Sequence, residues 1–363
     1  TFAKLLRTAP PQLAVLLKER IEQQADSPDG ELIVSGPYLN VRIDIASLAT
    51  GLHRILVTQP ETYGLNTDWA SRRIMIEFSC PNTNKPLHLG HLRNDCLGES
   101  VSRIMKANGA DVRKVNLINN RGVHICKSML AYQKFGHGET PESSGIKGDK
   151  LVGSYYVRFA QWEKEEPTAT AQAQEMLLKW EQGDAQVLEL WEKMNRWTLD
   201  GLAETYRKTG IAFDDYYYES NTYKLGKDII LAGLEKGIFQ KEADGSVWID
   251  LADIKLDRKV LLRSDGTSLY MTQDIGTAVQ RHEDWPFDSL VYVVASEQQY
   301  HFKVLFHVLE RLGYDWAPAL YHLSYGMVNL PEGKMKSREG TVVDADDLID
   351  KLTSLAREEI ISK

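Results

Sequence analysis

The sequence predicts an α/β fold, in which a parallel sheet carries a helical insertion and follows a small α+β module. Four observations lead there. Arg73-Ile74-Met75-Ile76-Glu77-Phe78 is an apolar run of strand length. After a short loop comes a helical pattern with Leu89, Leu92, Leu97, Val101, Ile104 and Met105 near one face and Asn108-Gly109 as a stop. Val112 to Ile118 is a second strand, so strand, helix and strand follow in the order of a βαβ unit. Much later, Leu290-Val291-Tyr292-Val293-Val294-Ala295 is continuously apolar, as a strand covered on both faces should be.

In chain order, residues 1–25 read as one or two amphipathic helices around Pro10-Pro11, followed by a polar turn, Asp26 to Gly30. Short strands at 32–34 and 39–43 and a helix near 45–56 complete a small α+β unit, expected over residues 1–69, with no catalytic constellation. After the first βαβ unit, 136–148 is Gly/Ser/Glu-rich and reads as loop. Residues 150–209, rich in Glu, Gln, Lys and Trp, read as helices with solvated faces. Together they make an insertion at about 136–210. Strand signals return at Ile211-Ala212-Phe213-Asp214 and at Ser246 to Asp250, with Asp244-Gly245 and Asp265-Gly266 as hairpin turns. The apolar strand ends in Ser296-Glu297-Gln298-Gln299. A helix from His301 to Leu312 follows, with His307 structural, and Ala345–Ser362 forms a terminal helix.

The totals exclude several function classes. The chain has 363 residues, 43% hydrophobic and 26% charged, which is ordinary for a soluble protein. No apolar run approaches the ~20 residues that span a bilayer, and no signal peptide is expected. Cys80, Cys96 and Cys126 form no Cys-x-x-Cys pair, which points to a reducing cytoplasm and away from structural zinc. A net charge of −8 does not suit non-specific coating of nucleic acid. Residues 88–135 nevertheless carry eight Lys/Arg against three Asp/Glu, a local excess of +5.

That basic stretch begins inside the run Pro81-Asn82-Thr83-Asn84-Lys85-Pro86-Leu87-His88-Leu89-Gly90-His91. Two histidines and a glycine thus sit where a strand hands over to a helix. Free backbone N–H groups and the positive end of the helix dipole favour a phosphate there. Gly90 allows close approach, and each imidazole can donate a hydrogen bond to a phosphate oxygen. A second phosphate-seeking element is the Gly/Lys-rich loop Glu332-Gly333-Lys334-Met335-Lys336-Ser337-Arg338-Glu339-Gly340. For the two together, a nucleotide site closed by a cationic loop outweighs the plainer reading of a capped helix and an exposed turn.

The pair resembles the class I aminoacyl-tRNA synthetases. Their His-Ile-Gly-His signature corresponds to His88-Leu89-Gly90-His91, and their Lys-Met-Ser-Lys-Ser loop to the degenerate Lys334-Met335-Lys336-Ser337-Arg338. Within that class the resemblance is to arginyl-tRNA synthetase, on the run Glu77 to Asn94, on Tyr270…Asp274-Ile275-Gly276, on Tyr292 to Gln298, and on Gly340-Thr341-Val342-Val343. Cys80 stands where that family usually has serine, and Lys336 is out of register with the family's second loop lysine.

The resemblance implies a Rossmann-type catalytic domain over 70–330. Residues 1–69 would be a truncated tRNA-contacting domain, and 331–363 the cationic loop and the helix leading toward an anticodon-binding domain beyond Lys363. It implies ATP-dependent activation of L-arginine and transfer to the 2′-OH at the 3′ end of tRNA(Arg). Glu77, Tyr270 and Asp274 would surround the guanidinium, with Asn82 and Gln298 near the amino-acid head. The pocket chemistry agrees, because carboxylates accept from a planar cation in bidentate fashion. His88, His91, Gly90, Asn84, Gly326, Met327, Val328 and Lys336 would hold ATP. Lys334 and Lys336, or Lys85 in a member with a degenerate loop, would act on the phosphates. Mg²⁺ is expected to accompany ATP without a dedicated protein site. A monomer without membrane attachment is expected. The alternatives are another nucleotidyltransferase acting on a smaller acceptor, and a non-catalytic synthetase-like binding protein.

Overall fold

The computed structural model describes residues 2–24, 30–58, 61–329 and 342–363, and the chain divides into two compact units, Thr1–Leu65 and Asn66–Lys363. In the first unit, α1 (Phe2–Leu6) and α2 (Pro10–Glu22) precede a hairpin of β1 (Glu31–Ser35) and β2 (Tyr38–Arg42), then α3 (Ile45–His53). Pro10 opens α2, where a missing N–H costs no helical bond. The hairpin is antiparallel, with Leu32 opposite Val41, and Ala14 and Leu32 are this unit's buried apolar residues among those described. Asp44 caps α3 by accepting from Ser47 N at 2.8 Å.

The second unit begins with β3 (Arg73–Glu77), α4 (Leu89–Ala107) and β4 (Asp111–Ile118). A helical body follows, comprising α5 (Val123–Phe135), the short α6 (Pro141–Ser144), α7 (Gly148–Glu165), α8 (Ala169–Glu181) and α9 (Ala185–Thr209). Next come β5 (Asp215–Tyr218), α10 (Glu219–Thr222), α11 (Lys227–Glu235) and a small antiparallel sheet of β6 (Gln240–Lys241), β7 (Val247–Ile249) and β8 (Lys259–Leu262). The unit ends with α12 (Tyr270–Asp284), β9 (Ser289–Ala295), α13 (Gln299–Arg311), β10 (Leu320–Tyr325) and α14 (Ala345–Ser362).

The main sheet has the order β10-β9-β3-β4-β5, and every neighbouring pair is parallel. After β3 the chain builds outward through β4 and β5. It then returns to place β9 and β10 on the other side of β3, so the strand order reverses between β3 and β9. In open parallel sheets a ligand binds outside the carboxyl ends at such a reversal. Alternation along β3 sends Ile74, Ile76 and Phe78 into one core with Val291 and Val293. Met75 goes into the other, with Val115, Leu290, Tyr292 and residues of α11, α12 and α13. A third core joins α5 to α7, α8 and α9 through Met129, Phe159, Trp162, Ala173 and Met194.

Two sequence expectations are corrected. The apolar run Ile211–Phe213 is not strand, and β5 begins at Asp215. Gly210 ends α9 in a left-handed conformation, Ile211 packs into the core below it, and Asp214 makes the first contact with β4 through its N–H to Lys114 O at 2.8 Å. On α4 the side chains fully buried are Asn94, Asp95 and Ser102, with Gly98 beside them, while Ile104 is exposed. Leu92, Leu97, Val101 and Met105 pack on the flanks of that small, polar strip. A Cβ at Gly98 would run into the Phe78 ring, so glycine sets how closely the helix approaches β3.

Candidate active site

β3 ends in an abrupt turn. Ser79 and Cys80 have φ of 73° and 48°, the left-handed region that non-glycine residues avoid, and three asparagines hold them there. Ser79 N donates to Asn94 Oδ1 at 2.6 Å, Cys80 N to Asn116 Oδ1 at 3.1 Å, and Asn119 Nδ2 to Cys80 O at 3.1 Å. Asn82 then pairs with Asn119 beside the end of β4. Burial, with the Glu77 charge behind it, pushes the Cys80 thiol well up, so it stays protonated.

Pro81–Leu87 delivers His88 to the N-cap of α4. The His88 ring accepts at Nδ1 from Gly90 N at 3.1 Å, and the His91 ring accepts at Nδ1 from His88 N at 3.1 Å. With both Nδ1 atoms acting as acceptors, each neutral ring carries its proton on Nε2. The rings lie 4.0 Å apart. Burial, then the neighbouring Lys85 charge, lowers His88 to about 4. Burial, then His88 and Lys85, hold His91 well below the ordinary imidazole value. At neutral pH both are therefore uncharged N–H donors at a helix N-terminus. A cavity of about 170 Å³ is lined by Lys85, His88, Lys150, Ser154, Tyr156 and Val342, among others.

A second cavity, of about 160 Å³, lies at the strand reversal and is lined by Glu77, Asp274, Thr277, Arg281, Gln298 and His301 with an apolar surround. Glu77 ends β3, Gln298 closes the single turn of 3₁₀ helix after β9, and Asp274, Thr277 and Arg281 recur on one face of α12. Asp274 Oδ2 lies 2.7 Å from His301 Nε2. Glu77 is ion-paired with Arg281, which is 1% exposed. The guanidinium sits 4.9 Å from the Tyr217 ring centroid and 5.9 Å from that of Tyr292.

Of the residues nominated from sequence, Glu77, Asp274 and Gln298 therefore share one cavity, and Lys85 and His88 share another. Tyr270 is 74% exposed and does not line the acidic cavity. Asn84 is buried beside the loop, and Gly326, Met327 and Val328 lie in irregular chain directly after β10, with Met327 exposed. Lys334 and Lys336 fall in 330–341, outside the described residues. Sequence reasoning missed Arg281, seven residues after Asp274 on the same helix, which no local signal marked. It also missed Lys150, the first residue of a segment read as helices with solvated faces. Among the described residues, no group of three or more His, Cys, Asp or Glu is placed to hold a metal ion. Two neutral imidazoles and a lysine suit phosphate oxygens and not a hard cation.

Comparison with known proteins gives the family. The family model described as tRNA synthetases class I (R), catalytic domain, matches residues 52–363. Two similar curated proteins are the arginine–tRNA ligases of Treponema denticola and Treponema pallidum. The first is 60% identical over 99% of this chain, and the second 54% identical over 100%. The chain spans 62% of the length of each of these relatives. Among solved structures, a Thermus thermophilus arginyl-tRNA synthetase superposes with a TM-score of 0.71 at 24% identity, over 99% of this chain and 64% of that one. A Plasmodium falciparum arginyl-tRNA synthetase gives 0.63 at 18%, over 100% and 61%. These last two likenesses show the fold. On the family match, which takes in both cavities, the chain belongs to the class I (R) tRNA synthetases, through their catalytic domain.

Proposed function

We propose that this chain activates L-arginine with ATP and passes the arginyl group to the 3′-terminal adenosine of tRNA(Arg). One observation carries the reading: Glu77, Asp274 and Gln298 converge on a single cavity at the strand reversal, on the strand that leads directly to His88 and His91. Carboxylates and an amide suit a ligand with a planar cation at one end and an α-amino acid head at the other. Among the described residues, Arg281 already engages Glu77, while Asp274 is paired with His301 and with no arginine.

In this reading the arginine carboxylate attacks the α-phosphorus of ATP and pyrophosphate leaves. Little proton transfer is needed, so catalysis comes from alignment and from stabilising added negative charge. His88 and His91, neutral with their protons on Nε2, donate to phosphate oxygens at the positive end of α4. Lys85 supplies a fixed charge nearby, with Lys336 or Lys334 on the departing pyrophosphate. Asn84, Gly90 and Gly326–Val328 form the surround of the nucleotide. Mg²⁺ would accompany ATP as a counter-charge on its phosphates. In the second step the 2′-OH of the tRNA end attacks the arginyl carbonyl of the adenylate, and AMP leaves.

Residues 1–69 would contact tRNA, 70–330 would hold ATP and arginine, and 331–363 would carry the loop and the helix toward an anticodon-binding region. The three free thiols support a reducing compartment, the cytoplasm, and we take the working form as a monomer. Among the described residues no helix is long and apolar enough to cross a membrane. A thermal-shift screen with ATP and each amino acid tests the reading, with pyrophosphate exchange in the presence of tRNA as the second arm. Arginine alone should add to the ATP shift and drive exchange. An equal response to lysine, or none to any amino acid, would overturn it.

A further inference from the structure

Outside both cavities, three lysines of the helical body grip three aspartates at the start of α14. Lys147 Nζ donates to Asp346 Oδ2 at 2.6 Å, to Thr205 Oγ1 at 2.6 Å and to Asp149 Oδ2 at 3.1 Å. Lys208 Nζ, from the last turn of α9, reaches Asp346 Oδ1 at 3.2 Å. Lys150 Nζ lies 2.7 Å from Asp347 Oδ1 and 3.1 Å from Asp344 Oδ1. Asp149 is 0% exposed and Asp346 4%. The helices that present the lysines cross at glycine: a Cβ at Gly148 would meet the Trp197 carbonyl, and one at Gly201 would meet the Asp149 carboxylate. Buried charges are costly unless fully paired, and here each carboxylate has a lysine and each lysine has a carboxylate.

The aspartates sit at the end of a short segment that lies against His88. Leu89 N donates to Val343 O at 2.9 Å, Ala345 N donates to Leu87 O at 3.0 Å, and Asp344 pairs antiparallel with His88. The residues on either side of His88 are thus each tied to this segment. A two-stranded pairing this short has little stability of its own and needs an anchor. We propose that Lys147 and Asp346 are positioning residues, which hold residues 343–345 against Leu87–Leu89 and so fix His88 for phosphate contact. The proposal rests on the reading above for its catalytic consequence but not for its structural one. Among the described residues, the charged and titratable groups around His88 are Lys85 on the preceding loop, His91 on α4, Lys150 and Tyr156 on α7 and Asp344 opposite it.

The test uses the 363-residue chain with Asp346→Asn, Lys147→Met and the conservative Lys147→Arg. Histidine NMR without ligand should show the His88 midpoint near 4 in the parent chain, moving toward the ordinary imidazole value in Asp346→Asn and Lys147→Met as the ring loosens and hydrates. Lys147→Arg should restore it. In arginine- and tRNA-dependent pyrophosphate exchange, the first two variants should lose about 10- to 100-fold in kcat, the scale of a misplaced catalytic group, with KM for arginine within about twofold. The double variant should be no worse than the single ones. A His88 midpoint that stays put in folded Asp346→Asn and Lys147→Met protein overturns the proposal. So does a kcat loss that only tracks the unfolded fraction in thermal melts. If the parent chain shows no arginine-dependent exchange while the His88 shift appears as described, the functional reading fails and the positioning role stands.

Discussion

Glu77 and Arg281 form a buried ion pair inside the acidic cavity that also holds Asp274. A fixed guanidinium therefore already occupies part of the wall assigned to a guanidinium ligand. The pair shares its surroundings with the Tyr217 and Tyr292 rings, whose faces attract the cation.

Removing one partner should leave an uncompensated charge in a site closed to water, costing about 3–5 kcal/mol. Arg281→Met is thus expected to lower the melting temperature sharply and to raise the arginine KM while leaving the ATP KM near its parent value. Glu77→Gln combined with Arg281→Met should recover much of the stability. Additive losses in the double-mutant cycle would show that the two side chains act separately.

The two histidines give a second expectation. His91→Ala and Lys85→Ala should each slow arginine-dependent adenylate formation by about 10²-fold or more, the scale of losing one charge-stabilising donor. His88 binds its proton less readily in the folded chain, at about 4, than in the unfolded one. Its contribution to stability is therefore complete above the ordinary imidazole value and is lost as pH falls through about 4. Melts between pH 7 and pH 4 should show this decline, and His88→Gln should flatten it.

How much of this was legible in the sequence follows from how local each signal is. The strand, loop and helix around His88 were readable because apolar period, proline and glycine sit within one continuous stretch. The convergence of Glu77, Asp274 and Gln298 was readable through motifs, since Glu77 ends β3, Gln298 ends the turn after β9 and Asp274 lies one turn into α12. Arg281 was not, because nothing in a run of helix-forming residues says that one arginine turns inward to a carboxylate on another strand. Tyr270 shows the converse limit: a residue one turn from Asp274 can point to solvent. The lysine–aspartate cluster joins Lys147 and Lys208 to Asp346 across three separate helices, and charge runs of that kind read equally well as solvated faces.

Gly98 offers a purely steric prediction. Its missing Cβ is where the Phe78 ring sits, and Phe78 is fully buried at the end of β3. Gly98→Ala should therefore force α4 away from the sheet and cost about 1–3 kcal/mol as overpacking, despite alanine's better helix propensity. Phe78→Leu in the Gly98→Ala background should return part of that loss in denaturant unfolding. If Gly98→Ala alone stabilises the protein, the close approach of α4 is not limiting.

Asp95, one turn beyond His91, supplies a pH dependence of the opposite sign to that of His88. Its carboxylate is buried on the sheet side of α4, and burial raises it to about 7, against an opposing contribution from Ser79. The folded chain thus holds this proton more tightly than the unfolded chain, whose carboxyl titrates near the ordinary aspartate value. The stability it contributes is present at acid pH and is lost as pH rises through about 7. Asp95→Asn keeps the shape and removes the charge, so it should raise the melting temperature at pH 8 by more than at pH 5. Tyr206, which hydrogen-bonds to Ser79 Oγ at 2.6 Å and accepts from Asn116 Nδ2 at 3.1 Å, feels the same carboxylate. Melts of the variant and the parent chain across that pH range decide the matter: a gain that is equal at both pH values would mean that Asp95 carries no proton-linked cost.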